Sequence, residues 1–135
     1  MKWKINYTKD QRVIKVKPSG QMSWDDKKKL SEEMLAAGRK KNVNAFLLNQ
    51  KETAFGLSVL EINRLPTVLR DIGFGPKDKV SILLNPDSVK GCLLEFLQNI
   101  LSLGTLQIKV FIDSKKATAW LEQKPLKRAN PAFDC

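Results

Sequence analysis

Three serines stand where helices are predicted to begin, which is a position that can bind an anion. Ser58, Ser88 and Ser114 each precede apolar residues at helical spacing. The first backbone amides of a helix lack an intrahelical partner and, together with the helix dipole, favour a phosphate or another anion. A serine at this position can equally cap its own helix, an interaction worth about 1 kcal/mol. Capping is the simpler interpretation of each serine taken alone.

The composition removes the commonest catalytic and metal sites. The 135 residues include no histidine, which excludes Ser-His and Cys-His catalysis and histidine-ligated metals. The two cysteines, Cys92 and Cys135, lie far apart and give no zinc-binding spacing. No P-loop or dinucleotide-binding glycine pattern occurs. We therefore predict a protein that is not an enzyme and that uses no metal and no cofactor.

The chain is strongly basic, with 24 Lys and Arg against 14 Asp and Glu. The excess is concentrated in residues 1–41, which hold 12 basic and 5 acidic residues. A positive field favours anionic partners such as nucleic acid, phospholipid headgroups or an acidic protein, although it also serves solubility alone. No signal peptide or apolar stretch of membrane-spanning length is visible. These features predict a soluble, cytoplasmic protein.

The apolar pattern predicts an α/β fold with the element order ββαβαβαβα. Strands are predicted over residues 2–7, 13–17, 45–48, 80–84 and 108–112. Pro18 ends the second strand, and Ser23 with Asp26 forms a capping box that opens the first helix. Pro66 interrupts the second helix, so the sequence indicates either a kink or two successive helices. The order implies a mixed, mainly parallel five-stranded sheet with an N-terminal antiparallel hairpin and four helices.

Polar residues follow the predicted parallel strands, at the carboxyl edge where α/β sheets usually bind ligands. With the three serines they form a predicted binding site, which consists of Asn49, Thr53, Ser58, Asn85, Ser88 and Ser114. Lysines on the hairpin and around the first helix offer a second, electrostatic surface. Lysines on an outer strand also suppress aggregation, which requires no ligand.

Three stretches resemble the SpoIIAA-like proteins, a group related to STAS domains and compared in fold with lipid-binding CRAL-TRIO domains. They are residues 61–73, 79–84 and 104–121. The last is the most specific, because its strand and acidic residue precede a helix bearing Ala117-Thr118-Ala119-Trp120-Leu121. The resemblance covers residues 2–123. We predict that residues 1–123 form a STAS-like (SpoIIAA-like) domain and that residues 124–135 form a loosely ordered tail.

The resemblance implies a regulatory binding module. In anti-sigma antagonists of this group a segment Asp-Ser-x-Gly-Leu is phosphorylated. Here Glu52 and Thr53 stand at the Asp and Ser positions, and Phe55 is an extra residue before Gly56. The match is therefore incomplete, and Thr53 and Ser58 are the candidate phospho-acceptors.

Three functions follow from these observations. The first is a non-enzymatic regulatory module that binds a protein partner or a second copy of itself beside residues 53–65. The alternative is a small-molecule or lipid-binding domain of CRAL-TRIO type, motivated by the apolar residues 93–101. The third is electrostatic binding to nucleic acid or to an anionic membrane, with an affinity that falls steeply with salt.

Overall fold

The architecture was obtained as a computed structural model that describes residues 2–10, 12–21, 23–54, 59–85, 98 and 106–122. Within these ranges the strands and helices follow one another in the order β1 (Lys2–Thr8), β2 (Val13–Gln21), α1 (Trp24–Lys41), β3 (Ala45–Asn49), β4 (Thr53–Ala54), α2 (Val59–Ile72), β5 (Lys79–Leu83), β6 (Gln107–Phe111) and α3 (Ser114–Glu122). The predicted α/β class and the initial hairpin are confirmed.

The main sheet has five strands in the order β1-β2-β3-β5-β6. β1 and β2 pair antiparallel, and every other neighbouring pair in this order is parallel. The two-residue strand β4 pairs with the end of β2, where Gly20 lies opposite Thr53. The mixed, mainly parallel sheet therefore agrees with the prediction.

The second strand is longer than predicted. Pro18 was expected to end it, yet β2 continues to Gln21. On one side β2 pairs with β3 through residues 14–16 and with β4 through residues 20–21. Pro18 lies in the gap between these two ladders, where its missing N–H breaks no bond on that side.

The first helix begins as predicted, with a complete capping box. Ser23 Oγ accepts a hydrogen bond from the Asp26 backbone N–H at 3.1 Å, and Asp26 Oδ2 accepts one from the Ser23 N–H at 3.2 Å. The helix ends at Asn42, whose φ of 58° is left-handed. Near this end Gly38 permits close packing on β3, because a Cβ there would lie 2.5 Å from the Phe46 ring.

The second helix runs without interruption from Val59 to Ile72, with Pro66 inside it. The two-helix interpretation is therefore wrong. A proline in this position removes one backbone hydrogen bond, which the packing of Leu65 and Leu69 in the core offsets. Gly73 closes the helix with φ at 132°.

One predicted helix and the predicted tail lie outside the described residues. Of the helix predicted after Ser88 only Gln98 is described, and its backbone is helical. The described part of the chain thus contains three of the four predicted helices. None of those three has both the length and the apolar character needed to cross a membrane.

The two sides of the sheet are covered unequally. On one side, called the α1 face, α1 and α2 enclose a large apolar cluster that includes Ile14, Val16, Leu30, Met34, Phe46, Leu48, Leu65, Leu69, Val80, Ile82, Ile108 and Val110. On the other side, called the α3 face, a smaller cluster consists of Val13, Leu47, Leu83, Ala117 and Leu121. Ile14 and Val16 alternate with the lysines of β2, and both are buried in the cluster of the α1 face.

Candidate functional site

At the carboxyl edge of the sheet, two of the predicted site residues meet at one loop. Asn49 Oδ1 accepts a hydrogen bond from the Lys51 backbone N–H at 3.1 Å. Asn85 Nδ2 donates to the Lys51 carbonyl oxygen at 3.3 Å. Both amides therefore hold the Lys51 peptide in place. This is a structural role, and a role in binding stays a prediction.

Of the four remaining predicted site residues, the structure describes two, Thr53 and Ser114. The Thr53 backbone belongs to β4, beside the end of β2. Ser58 and Ser88 lie outside the described residues. Ser114 is exposed and is the first residue of α3.

The predicted cap of the last helix is wrong by one residue. Asp113, rather than Ser114, caps α3, because Asp113 Oδ1 accepts a hydrogen bond from the Lys115 backbone N–H at 2.9 Å. The Asp113 carbonyl oxygen accepts the first helical bond, from Ala117, at 3.1 Å. Aspartate and serine are equally good caps, so their types alone do not decide between adjacent positions.

The α3 face carries a cluster of lysines on its hairpin half. β1 and β2 pair so that Lys4 lies directly opposite Lys17 and Asn6 lies opposite Lys15. Paired residues of an antiparallel ladder project to the same side. We call these four residues the hairpin surface. Lys4 is exposed, Lys15 is half-buried, and Lys17 forms an ion pair with Glu52 at 2.8 Å.

The hairpin surface lies to one side of α3, whose main contacts are with β3, β5 and β6. The helix sits over the other half of the sheet, where Ser81 Oγ donates to the Ala117 carbonyl oxygen at 3.0 Å. That bond satisfies the fully buried Ser81 hydroxyl and fixes α3 on β5.

The α1 face contains the tightest ion pair of the described residues, and that pair is structural. Arg39 binds the buried carboxylate of Asp78 with both terminal nitrogens, at 2.9 and 2.7 Å. The Gly75 backbone N–H donates to the same carboxylate at 2.7 Å. The bond to Asp78 raises the pKa of Arg39. The pair ties the end of α1 to the loop before β5.

A buried lysine on α1 was missed in the sequence. Lys27 belongs to a basic run that was interpreted as a surface feature, yet only 3% of it is exposed. Desolvation lowers the pKa of its ammonium group to about 8. The signal was present in the helical spacing, because Lys27, Ser31 and Leu35 recur every four residues and are all buried. Lys28 and Lys29 are exposed, as expected.

The three tryptophans pack as predicted, with their rings half-buried against the two clusters. Trp3 also donates its indole N–H to Glu33 Oε1 at 3.0 Å. Trp120 lies against Phe111, with ring centres 6.1 Å apart. Within the described ranges no group of three or more Cys, Asp or Glu residues is placed to hold a metal ion.

Comparison with known proteins identifies the architecture. No protein-family model matches the chain, and no curated protein matches it. A solved structure does match, that of an uncharacterized protein from the DUF3478 family with a SpoIIAA-like fold, from Shewanella loihica PV-4. The two are 20% identical, the match covers 89% of this chain and 92% of that one, and the TM-score is 0.56. The chain has a SpoIIAA-like fold.

The first residues of the segment compared with the phosphorylated motif lie next to the hairpin surface. Glu52 opens that segment and forms the ion pair with Lys17. Its carbonyl oxygen also accepts a hydrogen bond from the Gly20 backbone N–H at 3.2 Å, and Thr53 follows in β4. Glu52 therefore connects the start of this segment to the lysines.

Proposed function

We propose that the protein is a non-enzymatic regulatory module that binds an acidic surface of a partner protein through the hairpin surface. The observation that carries the proposal is the direct opposition of two exposed lysines, Lys4 and Lys17, with Lys15 on the same side. Like charges placed directly opposite each other destabilise a sheet. Carboxylates of a partner would turn this unfavourable arrangement into a favourable one.

Protection of an edge strand does not account for these lysines. That function suits Lys4, because β1 is the outer strand of the sheet. Lys15 and Lys17 lie on β2, which is flanked by β1 and β3, so their strand has no free edge along residues 14–16. A ligand for the exposed charge explains all three lysines together.

Glu52 supports the proposal because its carboxylate already occupies the position beside Lys17 that a carboxylate of the partner would take. Its carboxylate is 2.8 Å from the Lys17 ammonium, and both side chains remain more than half exposed. An exposed ion pair of this kind contributes only about 0–1 kcal/mol. A partner carboxylate can therefore replace Glu52 at small cost, and the exchange would alter the segment that begins at Glu52.

A protein is favoured over nucleic acid because the hairpin surface contains no aromatic residue. Binding of single-stranded nucleic acid relies on aromatic side chains that stack on bases. The aromatic residues of the hairpin, Trp3 and Tyr7, pack against the α1-face cluster instead. The resemblance to regulatory STAS modules supports the same choice. The lipid alternative stays a prediction, since Gln98 is the one residue of 93–101 that the structure describes.

The proposal is tested by reversing the charge of the opposed pair. The double variant K4E/K17E should lose the partners that the unchanged protein retains from cell extract at physiological salt. The control K115E/K116E makes the same charge change at exposed positions of α3 and should retain them. Zero-length cross-linking between amines and carboxylates should join Lys4 or Lys17 to acidic residues of the partner.

Three results would contradict the proposal. One is equal capture by K4E/K17E and the unchanged protein. Another is tighter binding to double-stranded DNA or to vesicles containing anionic lipid than to the captured protein. The third is a strict monomer that retains no protein partner at all.

A further inference from the structure

The outer side of β1 carries a row of backbone hydrogen-bonding groups that are not directed at β2. Trp3 lies opposite Pro18, which has no N–H, so this pair does not exchange backbone hydrogen bonds. Bonded and non-bonded pairs alternate along an antiparallel ladder, so the next pair, Lys4 and Lys17, does exchange them. The residues whose backbone N–H and C=O groups point away from β2 are therefore Trp3, Ile5 and Tyr7. We call this row the β1 rim.

The β1 rim is regular enough to pair with another strand. Edge strands are commonly blunted by shortness, by a bulge or by proline. β1 has seven residues without a proline, and its pairing with β2 is unbroken from Lys2 to Thr8. Within the described ranges no strand pairs with the β1 rim, whereas the side chain of Gln98 binds the backbone of β6 at the opposite rim. Strand addition to an exposed edge is a common mode of peptide recognition.

On the α3 face, a strand added to the β1 rim would meet positive charge. Alternate side chains of such a strand project to opposite faces of the sheet, and those on the α3 face would lie beside the exposed Lys4. The backbone groups of Lys4 face β2, so the residue opposite it on an added antiparallel strand would belong to a non-hydrogen-bonded pair. Side chains approach most closely in pairs of that kind. This face therefore favours an acidic side chain.

On the α1 face, the same strand would meet apolar side chains. Trp3, Ile5 and Tyr7 pack against the large cluster but are only half-buried, so part of their apolar surface is accessible. Glu33 beside Trp3 and Lys41 beside Tyr7 carry opposite charges, so this row favours neither sign of charge. Aromatic and β-branched residues pair favourably across neighbouring strands. The α1 face of the rim therefore favours apolar side chains, between acidic ones on the other face.

We propose that the partner protein supplies an extended segment in which acidic and apolar residues alternate, and that this segment adds to the β1 rim as a further strand. The inference rests on the proposed function, because Lys4 belongs both to the hairpin surface and to β1. Its charge deters a neutral or basic strand and attracts an acidic one. A second copy of this chain is a poorer occupant, because it brings its own Lys4 to the same face and a net charge of +10.

The test measures amide hydrogen exchange of the full chain by NMR, with and without a short peptide. The peptide has blocked ends and alternates valine with glutamate over seven residues. At a peptide concentration of ten times its Kd, exchange of the Trp3, Ile5 and Tyr7 amides should slow about tenfold, because only about a tenth of the chain is then free. Amides of α3, which is remote from β1, should change by less than about twofold.

Matched peptides and variants separate backbone pairing from charge. Methylation of the valine nitrogens removes the donors that face β1 and keeps every side chain, so it should weaken binding about tenfold or more. A peptide with lysine in place of glutamate should bind more weakly still, because it repels Lys4. In the protein, K4Q should weaken the glutamate peptide about two- to fivefold, as expected for an exposed charge pair. K115Q removes the same charge from α3 and should leave the affinity unchanged.

Strand addition and the proposed function can fail separately. If K4E/K17E loses the captured partner, yet the amides of the β1 rim exchange as fast in the captured complex as in the free chain, the proposed function stands and strand addition is overturned. Strand addition is also overturned if the methylated or the lysine peptide binds as tightly as the glutamate peptide. Slow exchange of the rim amides without any peptide would overturn it too, because the chain itself or a second copy would then occupy the rim.

Discussion

The two faces of the sheet differ in how they are covered and in how their charges are balanced. The α1 face is enclosed by two helices of 18 and 14 residues, and its buried carboxylate, Asp78, is matched by Arg39. Among the described residues, the α3 face is covered by one helix of nine residues, with opposed lysines on the hairpin half. The larger buried cluster predicts that the α1 face contributes more to the stability of the fold than the α3 face does.

The largest expected effect on stability comes from two neighbouring residues of β3 whose side chains face opposite sides of the sheet. Phe46 is fully buried on the α1 face, with its ring edge-on to Phe74 at 5.3 Å, and Leu47 is buried on the α3 face. F46A should reduce the free energy of unfolding by about 4 kcal/mol, and L47A by about 2 kcal/mol. Urea unfolding followed by circular dichroism measures both. Equal losses would show that the two faces contribute equally.

Lys27 gives the α1 face one unfavourable feature, so replacing it should raise stability. K27M removes a buried ammonium group and should increase the free energy of unfolding by at most about 3 kcal/mol at pH 7. The pKa is about 8 in the folded chain and 10.5 in the reference state. Between these values the unfolded chain holds a proton that the folded chain has released, so stability rises with pH across this window.

The measurement is urea unfolding at several pH values between 7 and 10.5. The free energy of unfolding should rise less with pH in K27M than in the unchanged protein. K28M changes an exposed lysine of the same helix and is the matched control. A destabilised K27M would show that the ammonium group makes a favourable interaction in the folded state.

Close packing on the α1 face is tested at Gly38. G38A places a methyl group 2.5 Å from the Phe46 ring and 3.0 Å from the Val43 carbonyl oxygen. The clash should cost about 1–3 kcal/mol, despite the better helix propensity of alanine. In the double variant G38A/F46L the clash is relieved, so the two costs should not add. Simple additivity in thermal unfolding would exclude direct contact between the two sites.

The smallest expected effect is on the α3 face. K4Q removes the repulsion between Lys4 and Lys17 and should raise stability by about 0.3 kcal/mol at low salt. The gain should disappear at high salt, where exposed charges are screened. K40Q, an exposed change at the end of α1, is the control. If K4Q lowered the free energy of unfolding by more than about 1 kcal/mol, Lys4 would have a structural role instead.

Local patterns were sufficient to predict most of the fold. The capping box of Ser23 and Asp26, the inward positions of Ile14 and Val16, and the glycine after α2 all depend on residues close in sequence. The end of β2 was not predictable, because whether Pro18 is tolerated depends on where β3 and β4 pair. Deciding whether Asp113 or Ser114 caps α3 also required the backbone conformation, because both residue types are good caps.

The candidate sites were harder to predict, because they depend on contacts between distant elements. The sequence predicted that Asn49 and Asn85 lie at one edge of the sheet, where they do meet. It did not predict that both bind the Lys51 peptide. A cleft at the amino-terminal end of the parallel strands is lined by Arg12, Lys79 and Gln107, which are far apart in the sequence and follow no shared motif. The burial of Lys27 could be predicted only by giving its four-residue spacing from Ser31 and Leu35 more weight than its charge.

Gln98 has a consequence for how copies of this chain can associate. Its side-chain amide accepts a hydrogen bond from the Val110 N–H at 2.8 Å and donates to the Ile108 carbonyl oxygen at 3.0 Å. It thereby occupies the outer rim of β6, where an incoming strand would otherwise pair. Among the described strands, β1 forms the opposite rim, and it carries Lys4. With the β6 rim occupied, two copies that paired through β1 would form a closed dimer, and the sheet could not extend into a fibre.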